Sequence, residues 1–159
     1  MIVVSNSGPI ISFARASSLE LIKQVLQEIK IPAAVYEEIV LHGGIKPGSA
    51  EIKDANWIKR GTVKNMSLVN QLPLSLGRGE REAIVLAEEL KTFLLIDDRL
   101  ARKEAEKRGI ICFGSLRILK EAKDKGLIEK VKLKGDELKK AGLRINNSLY
   151  ERFLLDVGE

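Results

Sequence analysis

The sequence predicts an α/β fold in which a central, mostly parallel sheet of about four to five strands is covered by helices. Short apolar runs alternate with segments of helical periodicity, as expected when crossover helices connect parallel strands. The clearest run, at positions 93–96, is apolar throughout, which is typical of a strand covered on both faces. Two carboxylates, Asp97 and Asp98, follow that strand directly, and a helical pattern begins at Arg99.

Each predicted element has a local reason. Pro9 and Pro32 suit the first turns of helices, and Gly109 and Gly126 suit positions just after helix ends. In the first part of the chain we expect a strand at 2–5, a helix from Gly8, a helix from Ser17 or Ser18 to about 29, a helix from 33 to about 41 that stops at Gly43-Gly44, a helix at 49–55 and a strand from 57. In the middle we expect one helical turn within 64–78, a helix at 80–90, a strand at 93–96, a helix at 99–107 and a strand at 110–113. The last part should form a helix capped by Ser115 that ends near 126, a helix at about 130–141, and a helix from 147 to about 157 capped by Asn146 or Asn147.

Length and charge bound the kind of protein. The 159 residues suit a single domain over 1–159, with a C-terminal helical extension at about 128–159. The net charge of +5 favours a polyanionic partner such as nucleic acid. The N-terminus lacks the features of a signal peptide and no apolar stretch is long enough to span a membrane, so we expect a cytoplasmic protein. Cys112, the single cysteine, is predicted to be a buried core thiol.

Helical geometry distinguishes the acids of the helix at 80–90. At about 100° per residue, the apolar positions of this helix lie within roughly 80° of Glu80. Glu82 points about 120° away from the centre of that stripe and is expected outside it. A carboxylate on the apolar side is costly unless it has a partner. Glu80 is therefore interpreted either as a helix-capping acid or as a ligand of a metal site at the edge of the sheet.

Other oxygen-bearing side chains occupy matching places. Asp97, Asp98 and Asn6 each follow a predicted strand, and ligands of open parallel sheets bind just beyond the strands' carboxyl ends. Glu38 lies near the apolar boundary of its helix. Helix capping, turn formation and simple solvation are the alternatives for these four residues. Taken together, they predict a site for Mg²⁺ or Mn²⁺, which prefer oxygen ligands.

The sequence excludes or disfavours several other chemistries. One cysteine and one histidine, His42 in a predicted loop, cannot form a structural zinc site or a histidine-based triad of the usual kind. No glycine-rich phosphate loop ending in Lys-Ser or Lys-Thr is present. A phospho-acceptor regulatory domain expects paired acids after the first strand, where this chain has Ser5-Asn6.

With these residues in view, the chain resembles the PIN-domain nucleases over nearly its full length, and among them a toxin-like DUF3368 subgroup. The resemblance implies a three-layer α/β/α fold and a site of three or four acids around Mg²⁺ or Mn²⁺. The segments that carry it are IVVSNSGPII from Ile2, IPAAVYEEI from Ile31, LGRGEREAI from Leu76, LIDDRLAR from Leu95, and AGLRI from Ala141 with Leu149-Tyr150.

Residue by residue, the resemblance assigns metal binding to Glu38, Glu80 and Asp98, with Asp97 as a neighbour able to substitute. Asn6 stands where the family has its first aspartate, so it brings an amide oxygen without a negative charge. The implied function is a metal-dependent endoribonuclease. The alternative is a PIN-like module, weak or inactive in catalysis, that binds RNA or a protein partner.

The resemblance also implies partners. We expect RNA as the substrate, an antitoxin protein that covers the pocket, and a homodimer without membrane association. Arg81 and Arg99 are candidates for holding the RNA backbone, with surface solubility as the alternative for both.

Overall fold

The computed structural model describes residues 2–41 and 48–159, in which one parallel sheet of five strands has the order β3-β2-β1-β4-β5. All four strand pairings are parallel. This confirms the predicted α/β class, and the sheet is wholly rather than mostly parallel. The strands are β1 (Val3–Ser5), β2 (Ile29–Ile31), β3 (Ile58–Arg60), β4 (Leu94–Leu95) and β5 (Cys112–Phe113).

The helices lie close to their predicted places, with ends that differ by a few residues. Asn146 caps the last helix by accepting hydrogen bonds from the backbone N–H groups of Ser148 and Leu149, as one of the two predicted caps. The helices are α1 (Ser7–Arg15), α2 (Leu19–Leu26), α3 (Ala33–Tyr36), α4 (Ser49–Lys53), α5 (Met66–Gln71), α6 (Arg78–Leu90), α7 (Arg99–Lys107), α8 (Ser115–Asp124), α9 (Val131–Lys140) and α10 (Asn147–Asp156).

The path of the chain creates two helix layers. The chain adds β2 and β3 on one side of β1, then crosses back to add β4 and β5 on the other side. Because parallel crossovers are right-handed, the reversal places α6 and α7, which connect β3 to β4 and β4 to β5, on the face opposite α1 and α2. Helices α1, α2, α4, α8 and α9 pack among themselves, as do α3, α5, α6 and α7. The predicted three-layer α/β/α arrangement is confirmed.

Aliphatic side chains fill the space between the layers. Val4, Ile29, Leu94 and Leu95 are completely buried, which confirms that the central strands are covered on both faces. Cys112 is also buried, and this burial raises the pKa of its thiol to about 11. The core thiol is therefore protonated and unreactive near neutral pH.

Three local predictions were wrong. The second helix was expected to reach residue 29, because Ile22, Leu26 and Ile29 continue a helical spacing. It ends at Leu26, since Gln27 adopts a φ of 70° without a glycine to signal the turn, and residues 29–31 form β2 instead. Ser115 is the first residue of α8 rather than its cap, which is Gly114.

The third correction concerns the helix that carries Glu38. It continues beyond Tyr36 as a π-helical turn, Glu37–Leu41, where a regular α-helix was predicted. π-Helical turns are rare in proteins as a whole, but those that occur are often found at functional sites. The predicted helix stop at Gly43-Gly44 and the predicted loop at His42 lie outside the described residues. Within the part of the chain that the structure describes, no helix is long and apolar enough to cross a bilayer.

Candidate metal site at the carboxyl edge of the sheet

Asn6 lies at the point where the direction of strand addition reverses. Ser5 pairs with Leu95, and the Asn6 N–H donates to the carbonyl oxygen of Leu95 at 3.0 Å, so the carboxyl ends of β1 and β4 adjoin. Open α/β sheets bind ligands in the crevice at this position. Asn6 is only 6% exposed, and its side-chain oxygen, Oδ1, is buried without a hydrogen-bond partner. An unpaired buried acceptor is costly and is satisfied in proteins by a bound water molecule, a ligand or an ion.

Glu38 is held by the start of α1. The Ser7 hydroxyl donates to its Oε2 at 2.5 Å, so the residue next to Asn6 orients the carboxylate. On its other side the carboxylate lies against Gly79 of α6, where a Cβ atom would overlap Glu38 Oε1. The π-helical turn after α3 thus meets α6 where the Glu38 carboxylate lies against a glycine.

Glu80 has the local role that the sequence offered as an alternative. It occupies the third position of α6 and accepts a hydrogen bond from the N–H of the N-cap residue, Gly77. Burial raises the pKa of the Glu80 carboxyl, and the negative charges of Asp98 and Glu38 raise it as well, against the lowering effect of the Gly77 N–H. Glu80 therefore lies close enough to Asp98, at the end of β4, and to Glu38, in the π-helical turn after α3, to be repelled by both.

The paired aspartates after β4 cap two different helices. Asp98 is the N-cap of α7, and its Oδ2 accepts from the N–H of Ala101 at 2.9 Å. Asp97 turns the other way and accepts from the backbone N–H of Ser115 at 2.7 Å and from its hydroxyl at 2.5 Å. Burial raises the pKa of Asp97, while these two bonds and the charge of Arg102 oppose the rise. Asp97 is thus bound to α8, and Asp98 is the aspartate that interacts with Glu80.

Glu38, Glu80 and Asp98 share the crevice without a cationic partner, whereas nine other acids of the described residues form ion pairs. Among residues 2–41 and 48–159, no Lys, Arg or His side chain forms an ion pair with Glu38, Glu80, Asp97 or Asp98. Like charges without a cation disfavour the ionised state. A bound cation would remove that penalty.

The chemistry of these groups fits a hard divalent cation. All the donors are oxygens, the carboxylates lack counter-ions, and the buried Asn6 Oδ1 lacks a partner. Their present positions do not form a ready-made cage. In the described part of the chain, no three His, Cys, Asp or Glu side chains are grouped closely enough to hold an ion.

The two arginines assigned to RNA differ in accessibility. Arg99, the first residue of α7, is exposed and has no carboxylate partner among the described residues. Arg81 is half-buried against α5, where its Nη1 donates to the Val69 carbonyl at 3.4 Å and its buried Nε has no partner.

Sequence reasoning missed several residues that shape the crevice. Ser7 and Gly79 hold or accommodate Glu38, and Ser115 holds Asp97. Glu82 was expected to lie outside the apolar stripe of α6, and this prediction was wrong about the burial of its side chain. It is only 2% exposed, because α6 packs against α3 as well as against the sheet. Gly79, which lacks a side chain and so allows a close approach, was the one sequence signal for this contact between α6 and the helix that carries Glu38.

Comparison with known proteins gives one finding. A family model described as a PIN domain, DUF3368, matches residues 2–159. No significant match was found among curated proteins or among solved structures. Because the match covers nearly the whole sequence, the chain belongs to the DUF3368 family of PIN domains.

Proposed function

We propose that this protein is a metal-dependent endoribonuclease that hydrolyses RNA phosphodiester bonds at the crevice between β1 and β4. The observation that supports this most directly is the approach of Glu80 to Asp98 and Glu38 in the crevice, where burial first, and then the negative charges of these two residues, raise the pKa of the Glu80 carboxyl. Acids gathered without a cation, beside a buried unpaired amide oxygen, are unfavourable for stability alone. Perturbed carboxylates in a crevice are typical of functional sites.

Each residue has a distinct role in this proposal. Glu38, Glu80 and Asp98 would hold Mg²⁺ or Mn²⁺, with Asn6 Oδ1 as a neutral ligand. When bound, the ion would supply positive charge to the scissile phosphate and lower the pKa of a water molecule. Ser7 fixes the Glu38 carboxylate in direction. Asp97 is the less suitable ligand, because Ser115 occupies both of its oxygens.

Exposed arginines on the same edge of the sheet support RNA as the substrate. Arg99 follows Asp98 directly, and Arg60 ends β3 with its guanidinium 3.4 Å above the ring of Tyr36. Neither arginine has a carboxylate partner within the described ranges. Together they would contact RNA on both sides of the crevice. Replacing either arginine by Gln should reduce the slope of RNA affinity against salt by about one.

The decisive experiment is cleavage of single-stranded RNA by the purified chain in Mn²⁺ or Mg²⁺, with a chelator as the blank. Glu38→Gln, Glu80→Gln and Asp98→Asn should each abolish cleavage while retaining a hydrogen-bond acceptor. Glu137→Gln, on α9, is the matched control and should cleave like the wild type. Asn6→Asp adds a charged ligand and should strengthen Mn²⁺ binding by about tenfold or more. No cleavage by either the wild type or Asn6→Asp would contradict the proposal.

A second candidate function follows from Asn6 itself. A neutral residue at this position lowers the total charge offered to the metal, which favours a module that binds RNA or a protein partner without cutting it. Calorimetric titration with Mn²⁺ separates the two functions. RNA binding that persists without any heat of Mn²⁺ binding at millimolar concentration would favour the module.

The remaining expectations belong to the same proposal. An antitoxin protein covering the crevice should inhibit cleavage and protect Glu38, Glu80 and Asp98 from solvent. Light scattering on the purified chain tests the homodimer, and fractionation of cells tests the cytoplasmic location.

A further inference from the structure

Glu82 is a buried carboxylate for which the proposed reaction has no use. It is 2% exposed and lies two residues after Glu80 on α6. One of its oxygens accepts from Arg78 Nε at 2.9 Å, on the same helix. The other accepts from the backbone N–H of Ala34 at 3.1 Å, across the interface with α3.

Helix α3 needs this contact because its own sequence provides no cap. The residue before it is Pro32, whose side chain cannot accept a hydrogen bond, and no side-chain cap is present. The first N–H groups of a helix have no partner within the helix. Glu82 satisfies one of them from another helix, and its negative charge suits a helix N-terminus.

A second contact fixes the other end of the same interface. Gly79 and Glu82 are three residues apart, so they lie on one face of α6. Gly79 lies against the carboxylate of Glu38, which leaves no room for a Cβ atom. Two contacts therefore set the position of α3 along α6: the hydrogen bond from the Ala34 N–H to Glu82, and the close approach of Glu38 to Gly79.

We propose that Glu82 is a positioning residue that sets the distance between the Glu38 and Glu80 carboxylates. It acts through the Ala34 N–H and not through its ion pair with Arg78, whose side chain is 63% exposed. Its effect on metal binding rests on the proposed function. Its effect on α3 does not.

The test compares three variants of the full chain. Glu82→Met keeps the side-chain length but removes the acceptor, and Mn²⁺ affinity by calorimetry should fall by about 10–100-fold, as for other residues that orient metal ligands. Glu82→Gln keeps an acceptor for Ala34 and should bind Mn²⁺ nearly as well as the wild type. Arg78→Met removes only the cation and is the control, with affinity close to the wild type.

Amide hydrogen exchange at Ala34 supplies a readout that does not need metal. Protection of this amide should be lost in Glu82→Met and retained in Glu82→Gln and Arg78→Met. If the wild type binds no Mn²⁺, the proposed function fails while the exchange result still decides the role of Glu82. Unchanged exchange and affinity in Glu82→Met would overturn the inference. A loss of Ala34 protection or of Mn²⁺ affinity in Glu82→Gln or Arg78→Met would also overturn the inference. This second result decides the role of Glu82 even if Glu82→Met does not fold.

Discussion

The carboxyl edge of the sheet and the pair of helices α8 and α9 treat acidic side chains in opposite ways. Each of the four acids on α8 and α9 pairs with a lysine or arginine one helical turn away, at 2.8–3.1 Å. Glu159 likewise meets Lys123 at 2.8 Å. At the crevice, Glu80 lies near Asp98 and Glu38, and none of these three acids has such a partner among the described residues.

The difference indicates that the arrangement of acids at the crevice is unfavourable for the stability of the fold. The +5 net charge means that cations outnumber acids overall, so the lack of partners at the crevice does not come from a shortage of cations. Exposed ion pairs contribute little to stability, but uncompensated neighbouring acids are unfavourable. The contrast supports a ligand-binding role for the crevice and a structural role for the acids of the C-terminal helices.

The largest predicted effect tests how tightly the crevice is built. Gly79→Ala should lower the free energy of unfolding by about 1–3 kcal/mol, because the added Cβ overlaps the Glu38 carboxylate and moving that carboxylate away breaks its hydrogen bond with Ser7. Urea unfolding measures this change. Gly8→Ala is the control: no atom lies within 4 Å of its added Cβ, and it should stabilise by about 0.4–1 kcal/mol. Equal stability of the two variants would show that Glu38 is not held against α6.

The next largest effect concerns Glu159, whose negative charge is balanced by Lys123 and by backbone N–H groups. Burial raises the pKa of Glu159, but hydrogen bonds from Lys123 and from the N–H groups of Lys132 and Val131 outweigh this and lower it to about 2. A lowered pKa means that the ionised carboxylate stabilises the fold above pH 4.5, with the contribution lost as the pH falls toward 2. Glu159→Gln should therefore cost about 1 kcal/mol at pH 7 in urea unfolding.

The same substitution at the crevice should act with the opposite sign. Glu80→Gln keeps an acceptor for the Gly77 N–H but removes a charge that Asp98 and Glu38 repel. Without metal it should raise the free energy of unfolding by up to about 1 kcal/mol, a modest gain because solvent screens this half-exposed group. A loss of stability, as at Glu159, would remove the distinction between the two regions.

The smallest effect is the pH dependence of that gain. The folded pKa of Glu80 is raised above 4.5, so its ionised form weakens the fold at pH 7, and the penalty disappears as the pH falls through the raised pKa. The stability difference between Glu80→Gln and the wild type should thus shrink toward zero near pH 4. Urea unfolding at several pH values measures it, and a difference independent of pH would assign the gain to another cause.

The sequence was sufficient for most of the framework because its signals are local. The fully apolar run at 93–96 and the acids after it predicted a buried strand ending at a crevice, and β4 ends there. β2 was missed because three residues carry little pattern, and the helical spacing through Ile29 concealed the turn at Gln27. Local periodicity could not reveal a turn made by a non-glycine residue at positive φ.

The candidate site was predictable in its residue types but not in its supports. Helix faces and strand ends made Glu38, Glu80, Asp97 and Asp98 candidates, and the family resemblance selected Glu38, Glu80 and Asp98 as the ligands to propose. The environment of Glu82 was wrong because a periodicity argument assigns one buried face to a helix, whereas α6 is covered by the sheet and by α3. The π-helical turn at Glu37–Leu41 also depends on tertiary packing and leaves no sequence signal that we recognise.

The distant cap on α3 has a consequence for how the protein folds. Glu82 follows Ala34 by 48 residues, and a helix as short as α3 is unstable in isolation. A nascent chain on the ribosome cannot complete this contact until α6 has emerged and docked. Glu38 would therefore reach its final position late in folding, after the first strands have paired.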